Sequence, residues 1–480
     1  MKKDLKMPAV ANSLLRNFIL LCFLFICLTG CRSCWEKKSW KSYIQIDSTY
    51  RDRPPDPYKQ LIVLIRPGPG SDQEFNKWLD EHSASGDIKI SFLCQDCDNQ
   101  LMLLTGPGIE TYIAGKTVGG GSGCGSPKSC GPSGEDGPLI YSINFAVQFN
   151  DSVYNDTSAQ SPVTPNPPKS PVTVAVFDTG VDSFKLKNYF YRNDSHTDTS
   201  CLGFQANNGW NFVAHNNNWA DDYPSKHGTK VASFIVDQIK KYAGNNVKIL
   251  PVKIHDSHGV SDLFSVLCGL AYAANNHAQV INASFGYYAP KPQPGSSNPD
   301  SCATLLKEYV RTYLTSKNIL LVAAAGNAGP VEDTDTTLHV SSAGLHNLDS
   351  VCFYPASLAR NHDLPNVIAV TTIDTASESV SPIQNFSPNV VDIGVQADAI
   401  VSGFYVFIPP NAPVGMMPTV TGSSFATPIA TGTICANYDL ISSGISDKEQ
   451  ILSILKSNGI VYRNSSFNNL IRNGIIMRRK

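Results

Sequence analysis

Four short segments of this chain carry side chains that together could break an acyl bond. Val174-Ala175-Val176-Phe177-Asp178-Thr179-Gly180 ends an apolar run on a carboxylate and a glycine turn. His227-Gly228-Thr229-Lys230-Val231-Ala232-Ser233-Phe234 supplies an imidazole, and Gly228 lets another backbone come close to it. Ala323-Ala324-Ala325-Gly326-Asn327-Ala328-Gly329-Pro330 presents a carboxamide in a glycine-flanked turn. Thr421-Gly422-Ser423-Ser424-Phe425-Ala426-Thr427-Pro428-Ile429-Ala430-Thr431-Gly432 leads a tight turn into a helix of small residues. Acyl transfer by a serine needs a hydroxyl, a base to take its proton, a carboxylate to orient that base, and donors for the oxyanion. Ser424, His227, Asp178 and Asn327 are of the right types for those four tasks. Singly, each has a plainer reading: an N-cap serine, one of ten histidines, a strand-end aspartate and a turn-forming asparagine. At a helix N-terminus, Ser424 gains from a dipole and free N–H groups that favour a developing anion. Pro428 is expected in the first turn of that helix, where its missing N–H costs nothing.

Such groups need a scaffold, and the surrounding pattern describes one. Continuous apolar runs at 172–177, 248–254, 279–283, 320–325 and 367–372 read as strands, with helical stretches such as 262–275 and 302–316 between them. Fully apolar strands alternating with helices predict a parallel sheet covered on both faces, an α/β architecture. In such sheets chemistry gathers at the carboxyl ends of the strands. Upstream, 60–65, 88–93, 101–105 and 139–149 read as strands, with helices at 72–82 and around 109–114. That β-α-β-β-α-β order suggests a small α+β, ferredoxin-like module at 58–149. The proline-rich stretch 150–171 has linker chemistry and is a place where a protease could cut itself. The catalytic domain is expected over 172–460, with 461–480 as a C-terminal tail.

A chain of 480 residues with 42% apolar and 16% charged residues can bury a large core in more than one domain. Its formal net charge of −2 gives no electrostatic reason to expect a nucleic-acid partner. The N-terminus reads as an address. Lys2, Lys3 and Lys6 precede an apolar run at 18–28, too short to span a bilayer and suited to an export signal. Leu28-Thr29-Gly30-Cys31 resembles a bacterial lipobox, so 1–30 would be a lipoprotein signal peptide, Cys31 the lipidated first residue and 31–57 a tether. The expected location is the bacterial cell envelope, lipid-anchored to a membrane, with shedding if the linker is cut. Thirteen cysteines in an exported chain permit disulfides. For Cys94, Cys97, Cys124 and Cys130, disulfides or free thiols fit better than zinc, and connectivity stays open.

Together the four segments resemble the subtilisin-like serine protease family. The chain order Asp, His, Ser is the subtilisin order and differs from the chymotrypsin and α/β-hydrolase orders. Val280-Ile281-Asn282-Ala283-Ser284-Phe285-Gly286 looks like the family's strand that pairs with the substrate backbone. Tyr354-Pro355-Ala356, Val367-Ile368-Ala369-Val370 and Asn385-Phe386-Ser387 match further landmarks in the same order, so the resemblance covers about 172–437. It implies a subtilisin-like three-layer fold and serine endopeptidase activity on protein or peptide substrates. Asp178, His227 and Ser424 would form the triad, with Asn327 and the Ser424 N–H binding the oxyanion. Ser284, Phe285, Gly286, Ala324, Ala325 and Gly326 would border the substrate pocket, whose small, apolar character suggests room for sizeable uncharged side chains. The N-terminal module would be propeptide-like, and the protein a monomer. No cofactor is expected; calcium is common in the family, but no ligand set is assignable here. The chain departs from the family at Ser423, where Thr is usual, at Phe425, where Met is usual, and at Lys230. None of these is a reacting group. Two other functions use the same residues: a catalytically silent, surface-anchored binding protein, and an esterase. Gly115-Lys116-Thr117 lacks the leading glycine of a phosphate-binding loop, and Gly422-Ser423-Ser424-Phe425-Ala426 is not a lipase G-x-S-x-G.

Overall fold

The computed structural model describes residues 40–45, 59–66, 68–84, 86–95, 100–118, 134–136, 139–144, 146–148, 171–192, 208–242, 246–289, 303–327, 347–360, 364–374, 378–380, 384–397, 400–401, 419–441, 445 and 447–477. Cys31, Cys97, Cys124, Cys130 and the 150–170 part of the linker lie outside them. Cys94 is buried without a disulfide.

The upstream unit runs β1 (Gln60–Ile65), α1 (Ser71–Ser83), β2 (Lys89–Gln95), β3 (Gln100–Thr105), α2 (Pro107–Val118), β4 (Gly134–Asp136) and β5 (Leu139–Ile143). Its sheet has the order β2-β3-β1-β5-β4, and every pairing is antiparallel. Without β4 this is the interleaved order of two split β-α-β units. All six residues of β1 are buried, which explains why its sequence does not alternate. Leu61, Val63 and Ile65 pack with Phe75, Leu79, Ile109 and Ile113 of α1 and α2. Ile62 and Leu64 face the other way, into a core shared with the downstream domain.

The segment expected as one strand at 139–149 divides. Asn144 turns the chain by donating its N–H and Nδ2 to Gln60. The next residues form β6 (Ala146–Gln148), which leaves the upstream sheet and pairs antiparallel with β10 (Val260–Asp262). A tertiary partner, rather than local alternation, decides where this strand ends.

Downstream come β7 (Val172–Asp178), β8 (Trp210–Asn211), α3 (His227–Tyr242), β9 (Val247–Lys253), β10, α4 (Leu263–Asn275), β11 (Val280–Ala283), β12 (Tyr287–Ala289), α5 (Thr304–Tyr309) and β13 (Leu320–Ala324). They are followed by β14 (Cys352–Tyr354), β15 (Val367–Asp374), β16 (Ser379–Val380), β17 (Ile393–Gln396), β18 (Ile400–Val401), β19 (Thr419–Val420), α6 (Ser423–Ala436), α7 (Lys448–Ser457), β20 (Val461–Arg463) and β21 (Ile475–Met477). The central sheet has the order β20-β21-β17-β15-β13-β11-β7-β9-β8. It is parallel except for the β20–β21 pair and the attached β16. Val174 and Val176 of β7 point to the layer of α3 and α6. Ala175 and Phe177 point to the layer of α4 and α5. This is the expected three-layer α/β fold, and each fully buried valine or phenylalanine contributes about 1.5–3 kcal/mol. β7 lies between β9 and β11, so the chain departs to opposite sides of it and leaves a crevice at its carboxyl end.

Residues 461–477, expected as part of a tail, instead complete the sheet. β21 pairs with β17, and β20 folds back on β21. The wholly buried Asp392 sits 3.2 Å from Arg472 Nη1 and 3.3 Å from Lys448 Nζ, tying this end to the core. Strands this short carry too few residues to show a period.

Candidate active site

Asp178 closes β7 and is fully buried. His227 opens α3 after Lys226, which turns with φ of 54°. The two meet with His227 Nδ1 2.7 Å from Asp178 Oδ1. An ionised carboxylate can only accept, so Nδ1 carries the proton and Nε2 is the basic nitrogen. A Cβ on Gly228 would lie 2.1 Å from the Gly180 carbonyl oxygen and 2.9 Å from Asp178 Cβ. Only glycine permits this approach of helix and strand.

A second carboxylate braces the pair. Asp221 is buried, and its Oδ2 accepts from Thr229 N (2.9 Å) and Thr229 Oγ1 (2.7 Å). Its Oδ1 accepts from Thr179 Oγ1 at 2.9 Å. Thr179 donates its N–H to Asp178 Oδ1 at 2.8 Å, and its hydroxyl accepts from Gly228 N at 3.0 Å. Asp221 thus joins the threonine after Asp178 to the threonine of the His227 segment. Hydrogen bonds to a charged group contribute about 1.5–3 kcal/mol each. Burial, and secondarily the neighbouring Asp178, raise the Asp221 carboxyl above the usual range against those hydrogen bonds. Lys253 Nζ donates to the Thr179 carbonyl and lies 2.7 Å from Asp222 Oδ1. His255 donates its N–H to the Asp178 carbonyl at 3.3 Å. Burial, then the charges of His227 and Lys253, hold its imidazole well below the usual range, so it adds no second cation beside His227.

Ser424 is the second residue of α6, after Gly422 at φ 150°. Pro428 falls inside this helix rather than in its first turn. Its missing N–H therefore frees the Ser424 carbonyl. Ser284 Oγ satisfies that carbonyl at 2.8 Å, itself held by Asn282 Nδ2, while Thr431 Oγ1 holds Asn282 Oδ1. The proline expected to be harmless thus creates the acceptor that ties α6 to the end of β11. Phe425 lies with its ring 5.4 Å from that of His227 and 5.9 Å from Phe234, so the departure from the usual methionine packs α6 against the His227 face of α3.

Asn327 follows β13, and its Oδ1 accepts from Ser423 N (3.1 Å) and Ser423 Oγ (2.9 Å). This leaves Nδ2 as the carboxamide's donor end. Ser423 Oγ accepts from Gly326 N at 3.0 Å, and Ser423 N also reaches Gln384 Oε1 at 2.8 Å. Ser284, Phe285 and Gly286 continue β11, while Ala324, Ala325 and Gly326 end β13; the two strands are parallel neighbours. Between their ends stands the ring of Phe353, against the expectation of an open slot for sizeable side chains.

Sequence reasoning missed Asp221, Gln384, Phe353 and the positioning role of Ser423. One signal was available for the first: a threonine lies within two residues of both Asp178 and His227, and a buried hydroxyl needs a hydrogen-bond partner. Among the described residues no group of three or more His, Cys, Asp or Glu could hold a metal ion, and no helix is long and apolar enough to cross a membrane.

Residues 169–444 match the model of the subtilase peptidase family. The cell wall-associated protease of Bacillus subtilis (strain 168) is 40% identical over 118 residues, covering 24% of this chain and 12% of that protein. Subtilisin NAT of Bacillus subtilis subsp. natto is 28% identical over 267 residues, covering 55% of this chain and 54% of that protein. The chain therefore spans about half or less of the length of these two relatives. In fold it is similar to the epidermin leader peptide processing serine protease of Staphylococcus aureus, with a TM-score of 0.52, 17% identity, and coverage of 87% of this chain and 97% of that one.

Proposed function

We propose that this chain, which belongs to the subtilase family, is a serine-type endopeptidase acting through Asp178, His227 and Ser424. The observation that carries the reading is the 2.7 Å contact between a buried carboxylate and an imidazole at the carboxyl end of β7, with the nucleophile's helix packed against the same face. In this mechanism Ser424 Oγ attacks the scissile carbonyl carbon as its proton passes to His227 Nε2. Asp178 stabilises the imidazolium, while Asn327 Nδ2 and the Ser424 N–H donate to the oxyanion. The imidazolium then protonates the leaving amine, giving an acyl-enzyme, and water repeats the sequence to release the acid. A fluorophosphonate probe should label the native chain and not Ser424→Ala, and casein should be cleaved. Turnover of esters without casein cleavage would mark an esterase; absence of labelling would mark a silent scaffold.

The upstream module is proposed as a propeptide-like inhibitor of the same site. Its support is the β6–β10 pairing and the core that its sheet shares with α4 and α5. Phe264 N donates to Asn144 Oδ1 at 3.1 Å, so the module also engages the first turn of α4. If processing at 150–171 is autocatalytic, Ser424→Ala accumulates uncut; identical processing of both chains refutes it. Export and lipidation at Cys31, and a monomeric state, are proposed from the sequence alone. Mass spectrometry of the protein from its host envelope reads both the acyl group and the mature N-terminus, and an unmodified Cys31 refutes the anchor.

A further inference from the structure

Gly286 and Gly326 border a space that the chemistry of the site makes important. Gly326 immediately precedes Asn327, and Gly286 lies just beyond Ser284, which holds the Ser424 carbonyl. In the proposed mechanism, with the substrate carbonyl oxygen bound by Asn327 and the Ser424 N–H, the resemblance to subtilisin puts the side chain of that same residue in the space between these two strand ends. A Cβ built on Gly286 would lie 2.2 Å from Phe353 Cε1 and 2.5 Å from its Cζ. A Cβ on Gly326 would lie 2.6 Å and 2.7 Å from the same two atoms. One ring edge therefore touches both glycine positions, and stands between them.

The ring is held there. Phe353 is opposite Tyr288 in the antiparallel β12–β14 pair, with ring centroids 4.9 Å apart at 65°. Its N–H donates to Ser357 Oγ at 2.9 Å. Tyr288 in turn donates its hydroxyl to Asn385 Oδ1, and Asn385 donates Nδ2 to the Ala325 carbonyl and its N–H to the Gly326 carbonyl. Phe353 is 7% exposed. Swinging the ring away would disturb the strand that carries the oxyanion donor.

The geometry points to Phe353 as the specificity-determining residue of this site, restricting the substrate residue before the scissile bond to small side chains such as glycine, alanine or serine. This rests on the serine endopeptidase reading above. The small residues lining both strands do not make a deep slot, because an aromatic ring from a third strand already takes up the room they leave.

The test is a set of peptide anilides differing only in the residue before the bond, alanine, leucine or phenylalanine, hydrolysed by the native full chain. The alanine peptide should exceed the phenylalanine peptide in kcat/KM by about tenfold or more, the range of discrimination that a pocket of fixed size can supply. Phe353→Ala should raise the phenylalanine peptide's kcat/KM by a similar factor and leave the alanine peptide nearly unchanged. Phe353→Leu should fall between, and serves if the alanine variant does not fold. Native preference for phenylalanine overturns the inference. So does an unchanged order in a variant that still cleaves the alanine peptide. No hydrolysis of any peptide together with no fluorophosphonate labelling overturns the endopeptidase reading itself.

Discussion

The two halves of the site are built from different materials. Around Asp178 and His227 the supporting groups are ionisable and buried: Asp221 between two threonines, and Lys253 against the Thr179 carbonyl and Asp222. Around Ser424 and Asn327 the supports are Ser423, Gln384, Ser284, Asn282 and Thr431, all uncharged. The difference follows from when charge arises. The first half must orient a carboxylate in a low-dielectric interior, where an unsatisfied charge is costly. In the proposed mechanism the second half meets a negative charge only in the transition state. Fixed neutral dipoles serve it without favouring the ground state.

The comparison can be broken in order of expected effect. Ser424→Ala removes the reacting hydroxyl, and kcat for casein or a peptide anilide should fall about 10⁶-fold, the magnitude known for subtilisin itself. Asn327→Ala should cost about 10²–10³ in kcat with little change in KM, again as in subtilisin. Retention of full activity in either variant would remove that half of the site from the mechanism. Asp221→Asn tests the other half. It removes a charged acceptor shared by Thr179 and Thr229, and kcat/KM should fall about tenfold.

The pH profile gives that variant a sharper signature. Because burial raises the Asp221 carboxyl, it takes up a proton at a higher pH on acidification than an ordinary carboxylate does. The native profile should then show a steeper acid-side loss of kcat/KM than Asp221→Asn, whose amide takes up no proton. A slope unchanged by the substitution would leave Asp221 as mere packing. The smallest effect belongs to Ser423. Its alanine variant loses one donor to Asn327 and should lower kcat about threefold to tenfold. Ser423→Thr, which keeps the hydroxyl, should restore it, and failure to do so would deny the hydroxyl its positioning role.

How much of this was legible depended on how far each residue's partners lie along the chain. Asp178, His227, Asn327 and Ser424 stood out because glycine and small residues flank them, and those flanks report close backbone approach. Asp221 lies in a polar loop, where aspartate is common for reasons of turn geometry. The role of Pro428 was misjudged by one turn because a helix start is the least certain boundary in a sequence. The run at 139–149 looked like one strand, yet β5 and β6 serve different sheets because their partners differ.

By itself the sequence determined the class of scaffold and pointed to the proposed reacting groups and their order, since periodicity and the need for particular functional groups are local properties. The tertiary structure alone decided which carboxylate braces the catalytic pair, which hydroxyl answers the carbonyl freed by Pro428, and which ring limits the slot beside Ser424. Those are contacts between segments distant in the chain. Packing density and the need to satisfy buried polar atoms select them only once the sheet has brought the strand ends together.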